Sequence, residues 1–148
     1  MKLQKLYSYV RRAMDDYSMV DDGDKIAVGV SGGKDSLALL YALSGLRKFY
    51  PKKFDIVALT VNLGFENQDF NLIKDFCKNL DVECKIIDTE IGDIVFHKRK
   101  ESNPCSLCAK MRKGSINDVA KKMGCNKVAY AHHRDDMIET MLMSLIYE

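Results

Sequence analysis

Three short runs hold the side chains that could do chemistry in this chain: Ser31-Gly32-Gly33-Lys34-Asp35-Ser36, Asn103-Pro104-Cys105-Ser106-Leu107-Cys108 and His132-His133-Arg134-Asp135-Asp136. The first has the makings of a phosphate cradle. Gly32 and Gly33 lack Cβ, so their backbone can approach a ligand closely. The free N–H groups of a following helix turn would point at an anion. Lys34 adds a positive charge, and Ser31 and Ser36 add hydroxyl donors. It is not a Walker A loop, because Asp35 follows Lys34, and no G-x-G-x-x-G dinucleotide fingerprint is present. The second run places Cys105 and Cys108 at C-x-x-C spacing behind a proline that suits the first helical position. A helix N-terminus with Lys and Arg nearby favours thiolate. Three readings of that pair are open: half of a metal or Fe–S site, a redox pair, or a sulfur-carrying pair. A complete zinc site needs four ligands, and no second C-x-x-C exists. In the third run, Asp135 or Asp136 could hold Mg²⁺ on phosphate oxygens, and His132 and His133 could hydrogen-bond phosphate. The plainer reading of the two carboxylates is a helix-start cap. Glu139, one turn on, is either an outer partner of that site or surface.

The elements that must position these runs follow from apolar periodicity. Lys25 to Val30 reads as a buried strand, opened by the turn cluster Asp21-Asp22-Gly23-Asp24. Leu39, Leu40, Leu43 and Leu46 recur at helical spacing, predicting a helix from Asp35 to about Phe49. Leu3, Leu6, Tyr7, Val10, Met14 and Tyr17 predict an opening helix over residues 3 to 18. Asp55 to Val61 reads as a second strand, with Phe70, Ile73, Phe76, Cys77 and Leu80 as a helix face and Glu83 to Ile87 as a third strand. A polar, basic segment runs from Ile91 to Asn103. A helix is predicted from Pro104 or Ser106 to Met123, with Gly114 as a weak point. Lys127 to Ala131 reads as a fourth strand and Asp135 to Ile146 as a last helix. Cys77, Cys84 and Cys125 read as small buried residues. Alternating strands and helices predict a parallel sheet with right-handed crossovers. Its ligands bind beyond the carboxyl ends of the strands. On that rim the first strand carries the glycine loop, the second Thr60-Val61-Asn62, and the fourth the histidine and aspartate run. Residues 1–20 are read as an N-terminal helix and 21–148 as one domain. Glu148 closes the last helix without a stop signal, so a longer protein is expected.

Composition narrows the function classes. The chain has 148 residues, 47% hydrophobic and 30% charged, with a formal net charge of +2. That suits one globular domain, and the net charge alone implies no polyanion partner. Local clusters do suit a phosphate backbone: Lys98, Arg99, Lys100, Lys110, Arg112 and Lys113, then Lys2, Lys5, Arg11 and Arg12, then Arg47, Lys48, Lys52 and Lys53. The plainer reading of these is solvated surface. No apolar run is long enough to span a bilayer, and no membrane partner is expected. The start lacks a signal-peptide core. Five cysteines, an odd count without a secretion signal, predict a reducing cytoplasm rather than a disulfide framework.

S-G-G-x-D-S after a strand resembles the PP-loop of the ATP pyrophosphatases, which split ATP into AMP and pyrophosphate. With P-C-S-L-C-A-x-x-R-x-G and H-H-R-D-D-x-x-E-T in this order, residues 24 to 147 resemble the tRNA 2-thiocytidine synthetase branch. The related lysidine synthetases share the first and last motifs but not the C-x-x-C. The resemblance implies an α/β, adenine-nucleotide alpha-hydrolase-like (Rossmann-like) three-layer fold with a parallel sheet. The strand order expected here is 3-2-1-4, with a fifth strand missing. It implies ATP and Mg²⁺ as cofactors, and nucleotide contacts from Ser31, Gly32, Gly33, Lys34, Asp35, Ser36, Val61, His132, His133 and Asp136. Lys34 and Asp35 would act in catalysis with Cys105 and Cys108. The two cysteines would hold a [4Fe–4S] cluster with a third from a later segment, a position Cys125 does not match; zinc is the alternative metal. Asp135 and Asp136 are weaker candidates for Mg²⁺. Glu66, after Val61-Asn62-Leu63, would substitute for an acidic residue that the family commonly has nearer that strand. Implied partners are tRNA and a sulfur donor such as a cysteine desulfurase, with a homodimer compatible. The implied activity is ATP-dependent replacement of oxygen by sulfur on a tRNA base, cytidine first. Other readings keep parts of this: an amide-forming synthetase using ammonia, a zinc or redox role for the C-x-x-C, or a non-catalytic nucleotide-binding module.

Overall fold

The computed structural model describes residues 8, 10–12, 14–15, 20–30, 34–64, 69–95, 104–134 and 137–145. Its five strands are β1 (Asp24–Gly29), β2 (Phe54–Asn62), β3 (Glu83–Asp88), β4 (Lys127–Arg134) and β5 (Met137–Leu145). Between them lie α1 (Lys34–Leu46), α2 (Asn71–Asn79), the single turn α3 (Ile91–Asp93) and α4 (Pro104–Lys122). The sheet order is β3-β2-β1-β4-β5. β1 pairs in parallel with β2 and β4, and β2 with β3, which gives the expected parallel order 3-2-1-4. The described residues among 8–15 are helical, in line with an opening helix.

One element differs from expectation. The segment read as a last helix over 135–146, with no strand beyond the fourth, instead supplies β5, antiparallel to β4. Its run Met-Ile-Glu-Thr-Met-Leu-Met-Ser-Leu is apolar at both helical and strand spacing, so periodicity cannot choose. Pairing with β4 gives that strand's outer backbone N–H and C=O groups partners along its length.

The sheet divides the core in two. One face packs Leu39, Leu40, Leu43 and Leu46 of α1 and Ile73 and Cys77 of α2 against Ile26, Val28 and Ala58, together with Val10 and Met14. The other packs Cys108, Ile116 and Ala120 of α4 against Ala27, Val57, Leu59, Val61 and Val128. β1 is buried on both sides, which is why it reads as a continuous apolar run rather than an alternating one. Gly114 does not interrupt α4, and a Cβ there would meet nothing within 4 Å.

At the amino ends of β1 and β4 a polar clasp ties the sheet together. Lys127 Nζ lies 2.7 Å from Asp24 Oδ2 and 3.2 Å from Asp21 Oδ2. Asn126 Nδ2 donates to Asp24 Oδ1 at 2.7 Å and the Asp21 N–H donates to Asp24 Oδ2, also at 2.7 Å. Burial alone would raise the Asp24 pKa, but these hydrogen bonds hold it below its ordinary value. Lys25 Nζ donates to the Met123 carbonyl at 2.8 Å, so the clasp also holds the end of α4.

Candidate active-site rim

The chain enters the glycine loop from Val30, and Val30 is fixed on both sides. Its N–H donates to the Leu59 carbonyl at 2.9 Å, and its carbonyl accepts from Thr60 Oγ1 at 2.5 Å. Thr60 is buried, so β2 sets the point from which the loop departs. Residues 31–33 lie outside the described residues. Lys34 and Asp35 form the first turn of α1, where free backbone N–H groups and the helix dipole favour an anion. Ser36 is buried at 6% exposure.

Gly29, the last residue of β1, is a point of close approach. A Cβ there would sit 2.8 Å from the ring carbons Cδ1 and Cε1 of Tyr130 and 3.4 Å from Ile116 Cδ1. The Tyr130 hydroxyl donates to Asn117 Oδ1 at 3.3 Å, and Lys113 Nζ lies 5.6 Å from the ring centroid. Burial pushes the Tyr130 pKa up to about 12. The ring of Tyr130 thus fills the space between the strand that feeds the loop and the helix that carries the C-x-x-C.

β2 and β3 build the neighbouring part of the rim. Asn62 Nδ2 donates to Asp88 Oδ1 at 3.1 Å, and Asn62 Oδ1 accepts from the Gly64 N–H at 2.9 Å. The Asn62 carbonyl accepts from both the N–H and the hydroxyl of Thr89, at 2.9 and 2.7 Å. Gly64 has φ +94°, and a Cβ there would stand 3.0 Å from the Thr89 carbonyl oxygen, so this turn favours glycine on both counts. Val61, expected to contact nucleotide, is buried at 7% exposure in the core facing α4. Glu66 lies outside the described residues.

α4 runs back across the sheet from the rim, as a crossover between parallel strands must. Ile116 is level with Gly29, so Cys108 lies eight residues, ~12 Å along the axis, toward the loop end. Cys105 and Cys108 stand three residues apart in the first turns of α4, a spacing that puts both on one helix face. Cys108 is buried at 7% exposure among apolar neighbours. The C-x-x-C spacing on a helix is one that two ligands of a metal or cluster can share. Cys77 and Cys84 lie on the opposite face of the sheet. Cys125 follows the far end of α4, ~21 Å of helix from Cys108. Among the described residues, no group of three His, Cys, Asp or Glu side chains could hold a metal.

β4 carries His132 and His133, with a bulge between them. Asp135 and Asp136 lie outside the described residues, as do Lys98, Arg99 and Lys100. Of the remaining basic residues near the C-x-x-C, Lys110 and Lys113 are exposed and Arg112 is half-buried. The sequence reading placed Thr60 on the rim without giving its hydroxyl a role, and it missed Tyr130, for which a glycine closing β1 was the available signal. Among the described residues, no helix is long and apolar enough to cross a membrane.

The chain matches a PP-loop domain family model over residues 3–148. A tRNA-cytidine(32) 2-sulfurtransferase of Geobacter sulfurreducens is 38% identical over 99% of this chain and 58% of its own length. One of Aliivibrio fischeri is 40% identical over 97% of this chain and 48% of its own length. The chain thus spans about half the length of these curated relatives. Among solved structures, the U34-tRNA thiolase NcsA from Methanococcus maripaludis with its [4Fe-4S] cluster aligns with a TM-score of 0.75 at 29% identity, over 90% of this chain and 45% of that one. An NH3-dependent NAD synthetase from Campylobacter jejuni, at 20% identity and a TM-score of 0.58 over 86% of this chain and 56% of that one, shares the fold.

Proposed function

This chain belongs to the PP-loop domain family, and on that premise we propose that it serves ATP-dependent thiolation of a tRNA base, cytidine by the names of its curated relatives. The observation that carries the reading is the pairing of a strand–loop–helix cradle at β1 with a thiol pair in the first turns of α4, a crossover helix starting from the same rim. An amide-forming synthetase of this fold has no use for that cysteine pair.

The pyrimidine C2 oxygen is a poor leaving group, so it must first be activated. Its attack on the α-phosphorus of ATP forms an O-adenylated base and expels pyrophosphate. The backbone N–H groups of residues 32–36 and the Lys34 ammonium stabilise charge on the departing pyrophosphate, with Asp35 the further catalytic candidate in the same turn. Val30, held by Leu59 and Thr60, fixes where those donors stand. Asp135 and Asp136 are the candidate ligands for Mg²⁺, which would neutralise phosphate oxygens, with His132 and His133 donating to phosphate. Sulfur then adds at C2, and AMP leaves with the original oxygen. Cys105 and Cys108 would supply two of the thiolates holding a [4Fe–4S] cluster, whose open iron would carry the sulfur to be transferred; zinc is the alternative occupant. A cysteine desulfurase or an equivalent donor replenishes the sulfur. Exposed Lys110 and Lys113 suit the tRNA backbone, and an unstacked loop base is the accessible target.

The test is pyrophosphate release with ATP and unmodified tRNA, followed by mass spectrometry of the tRNA nucleosides. 2-Thiocytidine should form only with ATP and a sulfur donor. Lys34→Ala should abolish pyrophosphate release while leaving the circular dichroism spectrum unchanged. Turnover retained by that variant refutes the role of Lys34, and tRNA-independent pyrophosphate release refutes the substrate.

A further inference from the structure

The rim chemistry makes no use of Cys77 and Cys84, which the fold brings together on the far face of the sheet from Cys108. Cys77 is buried in the last turns of α2, and Cys84 is half-buried in β3. Their side chains are hydrogen-bonded to each other.

The turn between them is fixed rather than loose. α2 ends with Asp81 in the left-handed region at φ 57°. The Val82 N–H donates to the Cys77 carbonyl at 2.9 Å and the Asp81 N–H to the Lys78 carbonyl at 3.1 Å. This is the paired pattern of a Schellman stop. Arg47 Nη2, from beyond the end of α1, donates to the Leu80 and Asp81 carbonyls at 3.0 and 2.8 Å. Those bonds hold the start of β3 against the end of α2, and the two thiols with it. A surface cleft of about 560 Å³ opens beside Cys84, lined by Lys74, Lys78, Asp81, Val82 and Glu83. Small polar molecules therefore reach Cys84 from solvent, whereas Cys77, 1% exposed, is reached through Cys84. Two thiols supply half of a tetrahedral zinc donor set, and no third ligand joins them among the described residues.

We propose that Cys77 and Cys84 form a reversible dithiol–disulfide site, with Cys84 the attacking thiol and Cys77 the resolving thiol, oxidised by a small hydroperoxide. Cys84 sulfur attacks one peroxide oxygen, the O–O bond breaks, and the other oxygen leaves as water or alcohol with the thiol proton. Cys84 is thereby oxidised to sulfenic acid and the peroxide is reduced. Cys77 sulfur then attacks Cys84 sulfur, the S–O bond breaks, and water leaves with the Cys77 proton as the disulfide forms. An external dithiol restores both thiols by exchange. The hydrogen bond to Cys77 and the charge of Lys74 lower the Cys84 pKa to about 7 against the opposing effect of burial, which favours thiolate as the attacking form.

The test uses the full chain, reduced and then treated with hydrogen peroxide, alkylated and digested with trypsin. Cleavage after Lys74, Lys78 and Lys85 separates Asp75–Lys78 from Asn79–Lys85, so the disulfide appears as those two peptides joined, two hydrogens lighter than their sum. The joined species should form with peroxide and vanish with dithiothreitol. Before oxidation, Cys84 should alkylate at neutral pH roughly tenfold faster than the buried Cys125. In Cys77→Ser, Cys84 should stop at the sulfenic acid and be trapped by a 1,3-diketone. In Cys84→Ser, Cys77 should stay reduced under conditions that fully oxidise the wild type. Joined peptides absent from the wild type at excess peroxide overturn the proposal, as does Cys77 oxidising equally well without Cys84. The wild-type digest decides the matter even if a serine variant fails to fold, and none of these readouts depends on tRNA or ATP.

Discussion

At Gly29 a hydrogen stands where any other residue would put a carbon 2.8 Å from the Tyr130 ring. The ring is wedged against α4 and cannot swing clear cheaply. Gly29→Ala should therefore destabilise the fold by about 1–3 kcal/mol through overpacking. Urea denaturation of a double-mutant cycle checks the cause: the penalty should largely disappear in a Tyr130→Ala background. Asp24 works through charge instead. It and Lys127 are each about 5% exposed, so Asp24→Ala takes the carboxylate 2.7 Å away from a buried ammonium and should cost about 3 kcal/mol. The carboxyl pKa of Asp24 lies below its ordinary 3.8 in the folded chain. The unfolded chain therefore takes up the proton first as pH falls. The stabilisation from Asp24 is complete above the ordinary value and is lost as pH drops through it toward the lower folded value. Unfolding midpoints measured from pH 6 down to acid should converge for wild type and Asp24→Ala.

Among the elements, β2 does more than fill the sheet. Thr60→Val keeps shape and burial but removes the hydroxyl donated to the Val30 carbonyl. It should cost ~1 kcal/mol and raise KM for ATP several-fold, as read by pyrophosphate release over a range of ATP concentrations. The long helices were legible because each presents a single period, and β1 and β2 because each is a short continuous apolar run. Leu39, Leu40, Leu43 and Leu46 mark α1, and all four are buried. β5 was not legible, because its apolar run satisfies both periods and only the open flank of β4 selects one. The hydrogen bonds that stitch Asn62 to Asp88 and Thr89 were equally hidden, since they join residues 26 and 27 positions apart that meet only when β2 and β3 pair.

Across the whole molecule the sheet separates two pairs of thiols, one in the first turns of α4 and one between α2 and β3. Counting cysteines gave five without saying which share a face. The C-x-x-C spacing was readable because both partners sit on one helix, while Cys77 and Cys84 meet only once the turn at Asp81 has formed. Cys105→Ala should leave the ATP-induced rise in Tm unchanged and stop 2-thiocytidine formation; thiolated product from that variant would remove Cys105 from sulfur delivery. The anchoring of α4 has a mechanical corollary. Its tail is moored through Met123 and Asn126 to the foot of β1, while its cysteines ride at the head, ~28 Å away along its 19 residues. Cys108 and Ile116 are packed in the core along the way, so loosening the mooring at Lys25 would let the tail pivot about them and shift the thiols without touching them.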